Sequence, residues 1–420
     1  MKIVKLKKEK FDEIAKNHSL ANYYQSVSYG NLMTTSGFTP SYLGFVHDKL
    51  LVGVSLVLSK EIFMGFKYGY APNGLLINYD DSNMLPLILK KLKSYLFKSG
   101  YLILKMDPLI IKSIRDKKGN IINEKTNINS IMKTLTSTGF THCGFNNYLE
   151  SIKPRWHASL EIKNNTSQKL FYQLDKNIRN KLRKASKFGV EIFQAKNSEI
   201  ETMYNFIKEK GNYSLRYYTD FARNFGDNFE IYFARINTNT YVTTSQMLFE
   251  RETENNNQLN EIIQDQGLKG KNMRAILNKK MESDRVLNSY KKHLVLSTKL
   301  LKEYPDNIII GGAIVIKYNN TLNLLIDGFL PEYQSLCPSF LTRWKIIEKH
   351  VNSSIEKFDL NAIVGNFQKD NKYHGLNESK LGFNSRAIEY IGEFNVICNR
   401  TMYNLYRSTT NKYSIKKQQK

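Results

Sequence analysis

A lysine and an aspartate stand two residues apart at the end of an apolar stretch, in Leu104-Lys105-Met106-Asp107-Pro108. Side chains two residues apart lie on the same face of a strand, so Lys105 and Asp107 are predicted to share one face of a sheet. A carboxylate at a strand end can orient or deprotonate an attacking amine. The alternative interpretation is that Asp107 only caps the turn that Pro108 begins.

Two further cations stand in segments that could face a ligand. Arg216, in Ser214-Leu-Arg-Tyr-Tyr218, lies among aromatic residues and could clamp a phosphate. The alternative for Arg216 is a surface arginine that lies on tyrosines. Lys380, between Gly375 and Phe383, is predicted to lie in a late loop ahead of a strand at Ala387–Ile391. By itself it is one lysine among many.

Several common kinds of site are excluded by the sequence. No two of the 23 glycines are two residues apart, so the dinucleotide-binding motif G-x-G-x-x-G is absent, and there is no Walker A loop. The missing glycine loop also disfavours a coenzyme A-dependent acetyltransferase. The histidines and cysteines show no ligand spacing, and no metal site is predicted.

A helix predicted from about Ser167 to Lys187 has two chemically distinct faces. Its apolar face consists of Phe171, Leu174, Ile178, Leu182 and Ala185, and its basic face of Lys176, Arg179, Arg183 and Lys187. Gly189 ends this helix, and a strand begins at Val190. The basic face favours a polyanionic ligand, and the alternative is an ordinary amphipathic helix with solvated lysines.

The elements that must position these residues follow the same order in both halves of the chain. The first half is predicted to form a hairpin, a strand, a helix and a strand, at Ser41–Val46 with Leu50–Leu58, Phe66–Tyr70, Met84–Lys98 and Tyr101–Met106. The second half repeats this order at Phe229–Ile236 with Ile308–Tyr318, Leu322–Ile326, Ser339–Val351 and Lys357–Ile363. Two similar α/β domains, side by side, are the predicted fold class.

A polar stretch, residues 241–306, interrupts the second hairpin. In its second half, apolar residues recur at helical intervals, at Leu287, Tyr290, Leu294 and Leu301. Its first half has a weaker stripe, formed by Leu248, Leu259, Ile262, Ile263 and Gln266. A turn is predicted between the halves, at Gly267-Leu-Lys-Gly270. These stripes predict an antiparallel two-helix arm that ends before Pro305 and Asn307.

The overall composition points to polyanionic partners. The formal net charge is +24, from 62 Lys and Arg against 38 Asp and Glu, and an AT-rich genome is the alternative source of the lysines. Three widely spaced cysteines suggest a reducing cytosol. No run of about 18 apolar residues occurs, so a cytoplasmic protein with at most peripheral membrane contact is predicted.

Taken together, these residues resemble the Fem family, the tRNA-dependent aminoacyltransferases that build the cross-bridge of bacterial peptidoglycan. The resemblance covers nearly the whole chain. It is most specific at Lys105–Pro108, at the helix Lys176–Gly189, in the arm, at Gly375 to Phe383 and at Glu389–Phe394. It implies two acetyltransferase-like (GNAT-like) domains with an inserted coiled-coil arm. The expected divisions are 1–152 for the first domain, 153–240 and 307–420 for the second, and 241–306 for the arm.

The resemblance also implies a reaction and its participants. An amine of a peptidoglycan precursor, lipid II or UDP-MurNAc-pentapeptide, attacks the ester of an aminoacyl-tRNA, and no cofactor is needed. By family pattern, Asp107 is expected near the acceptor amine and Lys380 near the ester. Arg216, Lys67, Lys105 and Tyr217 are expected to bind the precursor. The basic face of Lys176, Arg179, Arg183 and Lys187 is expected to bind tRNA.

Four positions depart from the family pattern, namely Asn31, Asn73, Ile326 and Ser379. They keep a second hypothesis open: a catalytically weak relative that serves as a tRNA- or partner-binding scaffold. Under either hypothesis a Fem-type homo- or hetero-oligomer is left open. Within the favoured hypothesis, the sequence does not separate housekeeping bridge synthesis from a self-protection factor whose altered bridge blocks a cell-wall endopeptidase. It does not name the transferred amino acid either.

Overall fold

The computed structural model describes residues 1–211, 213–266 and 273–417, with side chains for all of these except residues 266 and 410–417. In chain order, its strands are β1 (Lys2–Lys5), β2 (Thr39–His47), β3 (Leu50–Phe63), β4 (Phe66–Ala71), β5 (Leu76–Ile77), β6 (Tyr101–Met106), β7 (Ile111–Arg115), β8 (Ile121–Glu124), β9 (Phe140–His142), β10 (Trp156–Glu161), β11 (Val190–Ala195), β12 (Phe229–Ile236), β13 (Ile308–Tyr318), β14 (Thr321–Phe329), β15 (Lys357–Ala362), β16 (Arg386–Tyr390) and β17 (Phe394–Ile397).

The helices pack on the faces of the sheets or project from them. In chain order they are α1 (Lys8–Asn17), α2 (Val27–Thr35), α3 (Met84–Lys98), α4 (Ile128–Ser137), α5 (Ser167–Gln173), α6 (Lys176–Lys187), α7 (Ile200–Ile207), α8 (Leu215–Phe225), α9 (Thr238–Gln266), α10 (Met273–Glu303), α11 (Pro338–His350), α12 (His374–Leu381) and α13 (Arg400–Lys417). No helix in the described part of the chain combines the length and apolar character that crossing a bilayer requires.

Two mixed sheets repeat one arrangement, as the sequence predicts. The first has the order β1-β2-β3-β4-β6-β17-β9, with β5 on β3, and the second has β11-β12-β13-β14-β15-β10-β16-β7-β8. In each, three antiparallel strands lead through a helix to a parallel strand: β4 pairs with β6 across α3, and β14 pairs with β15 across α11. The carboxyl ends of β6 and β15 therefore occupy equivalent places in the two units.

Each sheet also includes strands from the other predicted domain. Strands β7 and β8 join the second sheet through β16, and β17 joins the first sheet between β6 and β9. Periodicity shows that a segment is extended but not which sheet its edge pairs with, so the sequence could not foresee this exchange. The division at residue 152 stays a prediction.

A shared apolar core joins the two units. It contains β3 residues such as Val54 and Leu56 together with Phe233 of β12 and Ile314 of β13, and all four are fully buried. Burial of a large aliphatic or aromatic side chain contributes about 1.5–3 kcal/mol, so this core resists separation of the sheets. The two units are therefore held against each other by this core.

Two predictions about helices can be compared directly with the structure. The two-helix arm is present as α9 and α10, whereas the predicted turn at Gly267–Gly270 lies outside the described residues. The single helix predicted over Ser167–Lys187 is wrong, because the chain breaks between α5 and α6. There the Asp175 N–H donates to the Gly382 carbonyl at 2.9 Å, and the Leu174 carbonyl accepts from the Arg179 guanidinium at 2.7 Å. These two backbone groups are therefore bonded to partners outside the helical ladder.

The buried seam of the arm is more polar than the predicted stripe. On α10 the buried residues are Met273, Ser283, His293, Ser297 and Leu300, while the predicted Leu287 and Leu294 lie at the edge of the seam and are half-buried. The Nδ2 group of Asn256 donates to Ser283 Oγ at 3.0 Å, and Ser283 Oγ donates to Glu252 at 2.5 Å. The arm is therefore held by a polar layer as well as by apolar contacts.

Candidate active site

A cleft lies where the carboxyl ends of β6 and β15 meet. From the first unit it is lined by residues 22–24, 73 and 107–109, from the second by residues 157, 323, 324, 359, 361 and 390, and from the segments joining them by residues 153–155, 392 and 393. Strand ends of α/β sheets are where such folds commonly bind ligands.

Asp107 lies at the wall of this cleft and is held by two donors. Its side chain accepts hydrogen bonds from the Tyr70 hydroxyl and the Asn73 N–H, each at 2.6 Å, and the residue is only 6% exposed. Burial raises the pKa of the Asp107 carboxyl well above its ordinary value, against the lowering effects of Tyr70, Asn73 and Lys153. A carboxylate in this state is oriented for proton transfer at neutral pH.

Hydrogen bonds from Gln25 hold the loop that carries Asn73 beside Asp107. The Gln25 amide is fully buried; it donates to the Pro72 and Leu56 carbonyls at 2.7 and 3.2 Å and accepts from the Leu56 N–H at 2.8 Å. Asn22 also donates to the Asn73 carbonyl, at 3.3 Å. These bonds satisfy buried backbone groups and hold the loop in one position.

A second titratable group of the cleft, Lys153, was not singled out by the sequence. Its ammonium lies 3.3 Å from the centre of the Tyr24 ring, which is a cation–π contact. Burial lowers the pKa of Lys153, against the attraction of Asp107. The signal in the sequence was weak, since Lys153-Pro154-Arg155 resembles an ordinary polar linker. Only the fold brings this lysine beside Asp107.

The opposite wall is built on β15. Asp359 accepts a hydrogen bond from the Asn361 N–H at 2.7 Å, and His157 Nδ1 lies 2.8 Å from its other oxygen. Burial alone would raise the pKa of Asp359, but the charges of His157 and Lys380 and the hydrogen bonds lower it below its ordinary value. This wall is therefore anionic and already paired.

Lys380 lies behind this wall. It belongs to helix α12, so the prediction of a loop at this position is wrong; the α12 amide Asn377 exchanges hydrogen bonds with the backbone of Val364 and holds the helix against the end of β15. The Lys380 ammonium donates to the Ala362 carbonyl at 2.7 Å and is 7% exposed. Burial and Arg343 lower the pKa of Lys380 to about 7. The structure thus places Lys380 near Asp359 but not among the residues that line the cleft.

The other predicted precursor-binding residues are dispersed. The Lys105 ammonium pairs at 2.9 Å with Glu393, which lines the cleft. Lys67 pairs with Tyr101 at the beginning of β6, the opposite end from Asp107, and its ammonium lies over the Tyr101 ring. Neither lysine is among the residues that line the cleft, and of the two only Lys105 contacts a residue that does.

Arg216 and Tyr217 lie on α8, beside the tyrosines of the cleft rather than in its lining. Arg216 is exposed, with 84% of its side chain accessible, and lies 3.9 Å from Asp220. Tyr217 stacks on Tyr213, with ring centres 4.1 Å apart. Burial raises the pKa of Tyr217, and Tyr24 is among the neighbouring groups that raise it further. An exposed guanidinium is accessible to a phosphate.

The four cations predicted to bind tRNA differ in their availability. Lys176, Arg183 and Lys187 are exposed on α6. Arg179 is half-buried, and its guanidinium donates to the Tyr172 and Leu174 carbonyls at 2.7 Å, so it stabilises the break between α5 and α6. Three of the four are therefore free to face a polyanion.

Three kinds of comparison with known proteins agree. The FemAB family model matches residues 6–411. The chain is 22% identical to aminoacyltransferase FemA of Staphylococcus epidermidis, over 97% of this chain and 99% of the relative, and 24% identical to FemB of the same species, over 97% and 98%. The crystal structure of FemX superimposes with a TM-score of 0.70 at 17% identity, over 96% of this chain and 99% of that one.

The likeness to FemX confirms the predicted fold, and the curated relatives share their whole length with this chain. A match of the family model across residues 6–411 extends from before α1 to within α13 and so includes every strand given above except β1, both helices of the arm and the residues that line the cleft. The chain belongs to the FemAB family.

Proposed function

We propose that this protein transfers an amino acid from an aminoacyl-tRNA to the stem-peptide or bridge amine of a peptidoglycan precursor. Membership of a family whose curated relatives are aminoacyltransferases supports the class of reaction. The observation that carries the proposal is the Asp107 carboxylate, buried and held by two donors in a cleft that both units line. A cleft of this kind can align two substrates, which is the main requirement when an activated ester reacts with an amine.

Asp107 is proposed to act on the acceptor amine. An amine that attacks a carbonyl carbon gains positive charge and must lose a proton before the tetrahedral intermediate collapses to an amide. A carboxylate with a raised pKa accepts that proton and can return it to the ribose oxygen that leaves. Lys380 holds the end of β15 through Ala362 in this scheme, so its contribution to the ester is electrostatic and indirect.

The tRNA is proposed to lie along α6, and the precursor to approach from α8. Lys176, Arg183 and Lys187 form an exposed cationic row, and such rows bind phosphate backbones with affinities that fall steeply with salt. Arg216 is accessible to a precursor phosphate. If the acceptor is lipid-linked, the protein reaches it by peripheral contact with the inner face of the membrane.

A product assay tests this function. The full chain is incubated with a mixed pool of charged tRNAs and either lipid II or UDP-MurNAc-pentapeptide, and the precursor is analysed by mass spectrometry. We expect a mass increase of one amino-acid residue, which names the donor, and no increase after RNase treatment. An unchanged precursor mass with both acceptors would refute the transferase proposal and favour a scaffold. Digestion of the extended product with a cell-wall endopeptidase then tests whether the altered bridge confers resistance.

A further inference from the structure

The cleft contains one lysine whose ammonium is not committed to the protein. Lys380 donates to the Ala362 carbonyl, and Lys105 pairs with Glu393. Lys153 lines the cleft, and among the described residues its ammonium has no hydrogen-bond or ion-pair partner, only the face of the Tyr24 ring. A ring face orients a cation but takes none of its N–H donors in a conventional hydrogen bond. All three donors of Lys153 are therefore available to a ligand.

The backbone on both sides of Lys153 is fixed. The Ile152 N–H donates to Glu393 at 2.6 Å. Arg155, which is 3% exposed, donates to Glu389 at 2.8 Å and to the Tyr390 carbonyl at 2.9 Å. Pro154 restricts the backbone between them. Lys153 is thus positioned before any substrate arrives, as a group that stabilises a transition state must be.

We propose that Lys153 donates a hydrogen bond to the oxyanion that forms when the acceptor amine attacks the aminoacyl ester. This inference rests on the proposed function and assigns the oxyanion to a lysine other than Lys380. Asp107 and Lys153 line the same cleft, one able to take the proton of the amine and the other able to neutralise charge on the former carbonyl oxygen.

The proposed step balances without any further reactant. The amine nitrogen forms a bond to the ester carbon, and the carbonyl electron pair moves to oxygen, where Lys153 stabilises it. The amine proton passes to Asp107. The carbonyl then re-forms, the bond to the ribose oxygen breaks, and Asp107 returns its proton to that oxygen. Lys153 donates a hydrogen bond throughout and undergoes no net proton transfer.

A pH profile distinguishes this role from a structural one. Only the protonated form of Lys153 can stabilise an oxyanion, and burial lowers its pKa. The rate should therefore fall on the alkaline side at a pH well below the range of an ordinary lysine. An arginine at this position stays protonated, so K153R should move the alkaline limb to higher pH.

The experiment measures single-turnover transfer and tRNA affinity for K153M, K153Q and K153R, with K90M as the control because Lys90 is an exposed residue of α3. We expect K153M and K153Q to lose about 10²–10³-fold in rate, the range for loss of an oxyanion donor, with tRNA affinity within about twofold of wild type. K153R should recover part of the rate and shift the alkaline limb. K90M should match wild type.

Two outcomes would refute the role of Lys153 while leaving the proposed aminoacyl transfer intact. In one, wild type transfers and K153M and K153Q stay within threefold of it. In the other, all three variants lose rate equally and keep the wild-type pH profile, which would indicate a structural residue. If wild type transfers nothing from any charged tRNA, the proposed function fails, and the assignment of Lys153 fails with it.

Discussion

The cleft and the arm both bury polar side chains, but those side chains are in different states. In the arm, Asn256, Ser283 and Glu252 bond to one another across the two helices. In the cleft, Asp107 and Lys153 carry pKa values shifted by burial, and Lys153 donates to no described residue. Buried polar groups that satisfy one another fix a structure. A titratable group with a shifted pKa that lines a cleft is instead a candidate for contact with a substrate.

The base of the arm shows the same principle as its middle. The Tyr241 hydroxyl and His293 Nδ1 lie 2.9 Å apart, and the His293 ring stacks on Phe188 at the end of α6. The Thr244 hydroxyl donates to the Lys187 carbonyl at 3.0 Å. These contacts join the arm to the helix that carries the proposed tRNA-binding cations. The arm is therefore attached at its base to that surface.

The largest expected effect is at Asp107. D107N keeps the size of the side chain but removes the base, so transfer should fall by about 10²–10⁴-fold while tRNA affinity is retained. D48N makes the same chemical change at a residue whose side chain is 85% exposed, and it should be neutral. The wild-type rate should also rise with pH through a pKa higher than that of an ordinary aspartate. Equal rates for D107N and D48N would show that the Asp107 carboxylate takes no part in the reaction. The buried polar groups of the cleft would then not differ in role from those of the arm.

The second effect concerns stability at the base of the arm. Burial lowers the pKa of His293 to about 4 from its ordinary 6.5, so the unfolded chain binds a proton first as the pH falls. Stability is then complete above pH 6.5 and is lost as the pH falls from 6.5 towards 4. At pH 5 the loss is about 2 kcal/mol by linkage.

The measurement for His293 is urea unfolding at pH 7 and pH 5 for wild type and H293F, which retains an aromatic ring against Phe188. The difference in unfolding free energy between the two proteins should shrink or reverse by about 2 kcal/mol at the lower pH. A difference that does not change with pH would show that His293 titrates normally.

The smallest expected effect is in the polar layer of the arm. N256A leaves Ser283 without its Asn256 donor and should reduce the free energy of unfolding by about 1–2 kcal/mol. Asn257 is exposed on the same helix, so N257A should change it by less than about 0.5 kcal/mol. Chemical denaturation measures both. If N256A and N257A lose the same free energy of unfolding, the polar layer of the arm contributes no more to stability than an exposed residue does. Its hydrogen bonds would then not fix the arm as described.

Most elements of the fold could be predicted from the sequence because their patterns are local. Helix α3 and strands β6, β12 and β13 have the predicted bounds, and the arm lies between the two strands where it was expected. The break between α5 and α6 could not be predicted, because it depends on a bond from Asp175 to Gly382, more than 200 residues away. The buried serines of α10 could not be predicted for a similar reason, since a stripe of apolar residues does not show which serines bond to a partner helix.

The candidate site divides in the same way. The sequence by itself determined that Asp107 ends a buried strand, that a basic helix and an arm flank the second unit, and that common cofactor loops are missing. Only the tertiary structure decided which lysine stands beside Asp107, because charge coupling and burial depend on distances between segments far apart in the chain. Lys153 reaches the cleft from the segment between the two sheets, whereas Lys380 is turned onto the Ala362 carbonyl behind the opposite wall.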